Sequence, residues 1–94
     1  MPHDEPEWTA FRRRAIGDRI RTARRYRGLT QEQLAHSIGL DRRSIHRYET
    51  AQRDPTLSNL ILIADALEVP LSALVADTLE LDLRDAHRDT RPTR

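Results

Sequence analysis

The chain has 94 residues with 16 arginines against 15 acids, a formal net charge of +1, and contains neither lysine nor cysteine. That length accommodates one small domain, and the lack of cysteine excludes both a disulfide framework and a thiolate metal site. The longest near-continuous apolar stretch, Leu60 to Ala64, falls far short of the roughly 18 residues of a membrane span, and the start Met1-Pro2-His3-Asp4-Glu5 lacks a signal peptide's basic and apolar runs, so a soluble, cytoplasmic protein without a membrane partner is expected.

Residues 1–10 hold two prolines and three acids and read as a flexible leader, in which Trp8, like Phe11 just after it, is able to dock on the core. From Phe11 to Arg27 the residues Phe11, Ala15, Ile16, Ile20 and Ala23 recur at one-sided helical spacing, with arginine on the other faces. Gly28 is placed to end that helix in a left-handed cap. Thr30 opens a second helix, and Gln33 three residues on completes a capping box. Gly39 cuts this helix short, and Asp41 is a natural N-cap for a third helix running to about Glu49, with Ile45 and Tyr48 on its inner face.

Thr56 caps a fourth helix carrying Leu57, Leu60, Ile61, Ile63, Ala64 and Leu67. Val69-Pro70 breaks it, and Leu71, Leu74 and Val75 form a short fifth. Thr78 to Arg84 alternates with period two and reads as a short strand, with a helical extension as the alternative. Residues 77–94 form a polar C-terminal tail that is expected to take part in dimerisation through Leu79, Leu81 and Leu83 and to end disordered. The domain proper is therefore expected over residues 11–76.

The small net charge hides a strong segregation. Residues 12–53 carry twelve arginines against four acids, whereas residues 54–94 carry four against eight. A solvated face is the plain reading of one arginine run such as Arg12-Arg13-Arg14, but a central segment at +8 presents a field suited to a polyanion. The four histidines, His3, His36, His46 and His87, lie far apart without metal-ligand spacing. Ser44 and His46 lack an orienting acid or oxyanion donors. A binding protein is expected rather than an enzyme, with no cofactor and no metal.

The most informative stretch is Gln31 to Glu49. Ala35 is small where two helices would cross, Gly39 supplies the positive φ of an abrupt turn, and Leu34, Ile38, Leu40, Ile45 and Tyr48 point to one shared core. The third helix then exposes Arg42, Arg43, Ser44, His46 and Arg47, a set of donors on one short rod. Taken from Ile16 to Val75, the chain resembles the Cro/C1-type (Xre-like, lambda-repressor-like) helix-turn-helix family. The resemblance is carried by Gly28-Leu29-Thr30-Gln31, Leu34-Ala35, Ile38-Gly39, Ser44-Ile45, Tyr48-Glu49, Pro55-Thr56-Leu57 and Ile63-Ala64-x-Ala66-Leu67-x-Val69.

That resemblance implies an all-α, five-helix domain that binds double-stranded DNA, usually as a homodimer, and so a transcriptional regulator, in the first instance a repressor at a palindromic operator. Gln31 matches the family's glutamine that bonds a backbone phosphate, and Arg42, Arg43 and Arg47 match positions that read base edges. Arginine suits that task because its fork donates twice to O6 and N7 of guanine, so G·C pairs are expected in each half-site. His46 falls against a base or phosphate, Ser44 against a phosphate, and Thr50 and Arg53 in a loop laid along the backbone. Arg24 and Glu49 match a pair that in some relatives bridges the first and third helices, so Arg24 is assigned to structure. Two departures stand out: Thr50-Ala51 replaces the usual Asn-Gly, and Pro70 stands where a capping serine is common. The alternatives are an antitoxin whose tail folds on a toxin, another protein partner acting through the same tail, or an interaction module without DNA binding.

Overall fold

The computed structural model describes residues 5–76 and consists there of five helices without a strand: α1 (Glu7–Tyr26), α2 (Gln31–Ser37), α3 (Arg42–Glu49), α4 (Leu57–Ala66) and α5 (Leu71–Val75). The all-α, five-helix expectation is met. The alternating stretch Thr78 to Arg84 and the tail beyond it lie outside the described residues. No helix among the described residues is long and apolar enough to cross a membrane.

The helix starts follow local chemistry. Thr30 accepts from the Gln33 backbone N–H at 3.0 Å while the Thr30 N–H donates to the Gln33 side chain at 2.9 Å, a complete capping box. The Asp41 and Thr56 side chains accept from the N–H groups of Ser44 and Asn59 in the same way. α1 opens four residues ahead of Phe11 and takes in residues 7–10 of the expected leader. Pro6 stands as its N-cap, Glu7 places a carboxylate in the first turn, and the Thr9 hydroxyl donates to the Pro6 carbonyl at 2.7 Å. Trp8 and Phe11 do not dock on the core: they are 62% and 61% exposed.

Four helix ends share one device. After α1, α2, α3 and α4 the residue beyond the C-cap is left-handed: Gly28 at φ 71°, Gly39 at 76°, and Ala51 and Glu68 both at 60°. In each case the following N–H turns back to a carbonyl in the last turn, Leu29 to Arg24, Leu40 to Ala35, Gln52 to Arg47 and Val69 to Ala64, at 2.9–3.1 Å. These are Schellman closures, which satisfy carbonyls that a helix end leaves orphaned. Two of them use a residue with a Cβ, which costs roughly 1–2 kcal/mol in this region. Ala51→Gly is therefore expected to stabilise the domain by about 0.5–1 kcal/mol, since glycine's larger unfolded-state entropy takes back part of the relief. A thermal melt raised by a few degrees is the result that checks it.

The core draws on every helix. Ile20 of α1, Leu34 of α2, Ile45 of α3, Ile63 and Leu67 at the end of α4, and Leu74 of α5 are fully buried, each stabilising the fold by about 1.5–3 kcal/mol. Ile38, Leu40, Leu60 and Leu71 pack around them. Ala35, 1% exposed, is the small residue beneath the helix-turn-helix crossing. α1 and α3 also approach closely at Gly17 of α1: a Cβ there would sit 2.6 Å from the Glu49 carbonyl oxygen and 2.7 Å from that of Tyr48. α4 buries only one side of its apolar set, and Leu57, Ile61 and Leu62 face outward.

Candidate nucleic-acid interface

α3 is held on its inner side and free on its outer side. Ile45, Tyr48 and Glu49 are buried, while Arg42, Arg43 and His46 are exposed and Arg47 is half-buried. At four-residue spacing, Arg42 shares a stripe with His46 and Arg43 with Arg47, so the donors project from one face. None of the three arginine side chains has a hydrogen-bond or ion-pair partner among the described residues. Asp41 at the helix start accepts from Ser44, side chain and backbone, and these bonds, with the positive charge of Arg43, hold its carboxyl below the usual aspartate range. Ser44 is thereby half-buried at the cap, beside the outward face rather than on it.

The attachment of α3 to the rest of the domain is ionic as well as apolar. Arg24 of α1 donates through Nε to Glu49 Oε2 at 2.6 Å and through Nη2 to Oε1 at 3.0 Å, with both residues buried, at 8% and 4% exposure. Its remaining arm donates to the Leu29 carbonyl at 2.8 Å, pinning the turn before α2. Gln31 Nε2 also donates to Glu49 Oε1, at 3.0 Å. One carboxylate thus ties α1, α2 and α3 together, and the structural assignment of Arg24 holds. A side-chain amide carries two N–H donors, so Gln31 keeps a second one beyond Glu49. Asn59 of α4 donates to the Tyr48 hydroxyl at 3.0 Å and fixes the far side of α3.

The loop after α3 carries Thr50 and Arg53. The Thr50 hydroxyl donates to the His46 carbonyl at 2.8 Å, and the Gln52 and Arg53 N–H groups both return to the Arg47 carbonyl. Arg13 of α1 reaches across to Asp54, Nε to Oδ1 at 2.8 Å, and also to Glu5 at 3.0 Å. Those carboxylates raise the Arg13 pKa, the Asp54 hydrogen bond first. The arginine run at 12–14 therefore divides, with Arg13 holding the loop in place. Sequence reasoning also passed over Arg27, whose Nε donates to the Leu67 carbonyl at 2.7 Å and closes the end of α4 from α1.

A short helix bearing unpartnered guanidinium groups, crossed by a second helix through a glycine turn, is the geometry of a helix-turn-helix reader. The sequence profile of the helix-turn-helix family matches residues 20–74, more than half of the chain. The chain belongs to the Cro/C1-type helix-turn-helix family of DNA-binding transcriptional regulators. Among its Cro/C1-type relatives, the cryptic phage CTXphi transcriptional repressor RstR of Vibrio cholerae is 39% identical over 59 residues, covering 63% of this chain and 53% of that one. The chain spans about half the length of the first curated repressors it matches. Among solved structures, the restriction-modification controller protein C.AhdI of Aeromonas hydrophila aligns with a TM-score of 0.63 and 38% identity, over 65% of this chain and 92% of that one. The P22 c2 repressor, solved in complex with a synthetic operator, aligns with a TM-score of 0.62 and 26% identity over the same shares.

Proposed function

We propose that this protein is a transcriptional repressor that binds palindromic operator DNA as a homodimer, laying α3 of each protomer in successive major grooves about 34–36 Å apart. The observation that carries this reading is the outward face of α3, where Arg42, Arg43 and Arg47 stand unpartnered among the described residues on a helix whose other side is locked by Glu49 and Tyr48. Arg42, Arg43 and Arg47 read base edges, and His46 reaches a base or a phosphate. Gln31, through its second amide N–H, Ser44, Thr50 and Arg53 contact the backbone. The operator bound by the P22 c2 repressor and the repressor name of the Vibrio relative support the same assignment. The outward Leu57, Ile61 and Leu62 of α4 offer apolar area for self-association.

Selection of bound sequences from a random duplex pool tests this reading. A palindromic site with G·C pairs in each half is the expected product. A dimer contacting six to ten phosphates is expected to lose about 10³–10⁵ in affinity between 50 and 200 mM salt, and a protein indifferent to duplex at both concentrations would overturn the proposal. Arg43→Ala is expected to weaken operator binding by about 1–3 kcal/mol per half-site and relax preference at one base pair in each half. Equal loss on every sequence would demote Arg43 to a phosphate contact.

A further inference from the structure

The structure sorts the twelve arginines between residues 12 and 53 by what they touch. Arg12 lies over the Trp8 ring, Arg13 binds Asp54 and Glu5, Arg19 donates to the Leu74 carbonyl, Arg24 binds Glu49, and Arg27 donates to the Leu67 carbonyl. Seven side chains remain without such a partner among the described residues: Arg42, Arg43, Arg47 and Arg53, from α3 and its loop, and Arg14, Arg21 and Arg25, all from α1. The spacings of seven and four residues put these last three on one stripe of α1.

That stripe is not remote from α3. Arg21 and Arg25 line a cleft together with Gln31, His46 and Thr50, floored by the Arg24–Glu49 pair. Glu49 is neutralised by Arg24, so the local charge is set by the two exposed guanidinium groups. Asp18, which shares the stripe, makes no ion pair with either of them among the described residues; it lines the adjoining depression, which Arg14 and Arg21 border as well, and does not line the cleft of Arg25 and Gln31. Arg21 and Arg25 lie one helical turn, about 6 Å, apart along the axis, and a guanidinium fork recognises a phosphate through two parallel donors. Gln31, whose amide has a second N–H beyond the one given to Glu49, lines the same cleft.

We infer that Arg21 and Arg25, together with Gln31, form a phosphate seat that grips the nucleic-acid strand flanking the base-reading helix. The inference rests on the DNA-binding reading above and extends the contact surface from α2 and α3 onto α1. The seat sets affinity and register without reading sequence, because phosphates carry no base identity.

The test compares the full chain with Arg21→Ala, Arg25→Ala and the double variant on the selected operator and on unrelated duplex, across a salt series. Removing one phosphate-binding side chain lowers the slope of log affinity against log salt by about 0.9. In the homodimer the double variant removes two such side chains from each protomer, four in all, so its slope is expected to fall by about 3.6, equally on both duplexes, with an unchanged melting temperature because both side chains are exposed. Arg21→Lys with Arg25→Lys, which keeps the point charges, is expected to restore most of the slope. An unchanged slope in the Arg21/Arg25 double variant while operator binding persists would overturn the seat and leave the DNA reading standing. So would a loss confined to one base pair of each half-site. Wild-type protein that ignores duplex would remove both.

Discussion

Arg24→Ala is expected to destabilise the domain by about 3–5 kcal/mol, read as a lowered urea midpoint at unchanged slope. The substitution strips a buried carboxylate of two of its three donors, leaving only Gln31 on Glu49. It also frees the Leu29 carbonyl at the turn into α2. Small domains have about 5–15 kcal/mol in hand, so the variant stands close to unfolding. The size of the effect measures an unpaired buried charge rather than the net worth of the pair. A double variant, Arg24→Met with Glu49→Leu, removes both charges and is expected to recover most of the loss. If the single variant melts like wild type, the pair is open to water. Operator affinity is expected to fall with Arg24→Ala in surplus of its unfolding, because Gln31 and α3 are aligned through the same carboxylate.

The parts of this fold legible in the sequence are those governed by neighbours a few residues apart. Thr30 with Gln33, Asp41, Thr56, Gly28 and Gly39 act on their own turns, and each is found capping the helix its position announced. The outward donors of α3 followed from helical spacing alone. Long-range contacts left no such trace. Arg27 meets the Leu67 carbonyl 40 residues away, and Arg13 meets Asp54 41 residues away. Their side chains read like any other arginine until the packing brings the partner near. For the same reason the sequence could not divide the twelve central arginines into those that hold the fold and those left outward. The early start of α1 did have a local signal, since Pro6 followed by Glu7 is a helix opening, masked by the loop-like composition around it. Ala51 and Glu68 concealed the left-handed closures of α3 and α4, though not where those helices end, because neither is the glycine that usually adopts that conformation.

Gly17→Ala separates local from tertiary demands most sharply. In the interior of a helix, glycine is worse than alanine by roughly 0.5–1 kcal/mol, so a peptide spanning residues 7–26 is expected to gain helicity from the change by circular dichroism. In the folded protein the new methyl would lie 2.6 and 2.7 Å from two carbonyl oxygens at the end of α3. Those atoms are backbone, not the far end of a flexible side chain, so relief requires α1 and α3 to separate. Overpacking of this kind costs about 1–3 kcal/mol and occasionally more, enough to reverse the local gain. The same displacement would strain the Arg24–Glu49 bonds, which run between the same two helices, and tilt the face bearing Arg42, Arg43 and Arg47. The expected result is opposite signs in peptide and protein, with operator affinity falling alongside stability. A Gly17→Ala protein as stable as wild type would mean that α1 and α3 lie farther apart, and that the ionic pair alone sets the angle at which α3 is offered to a groove.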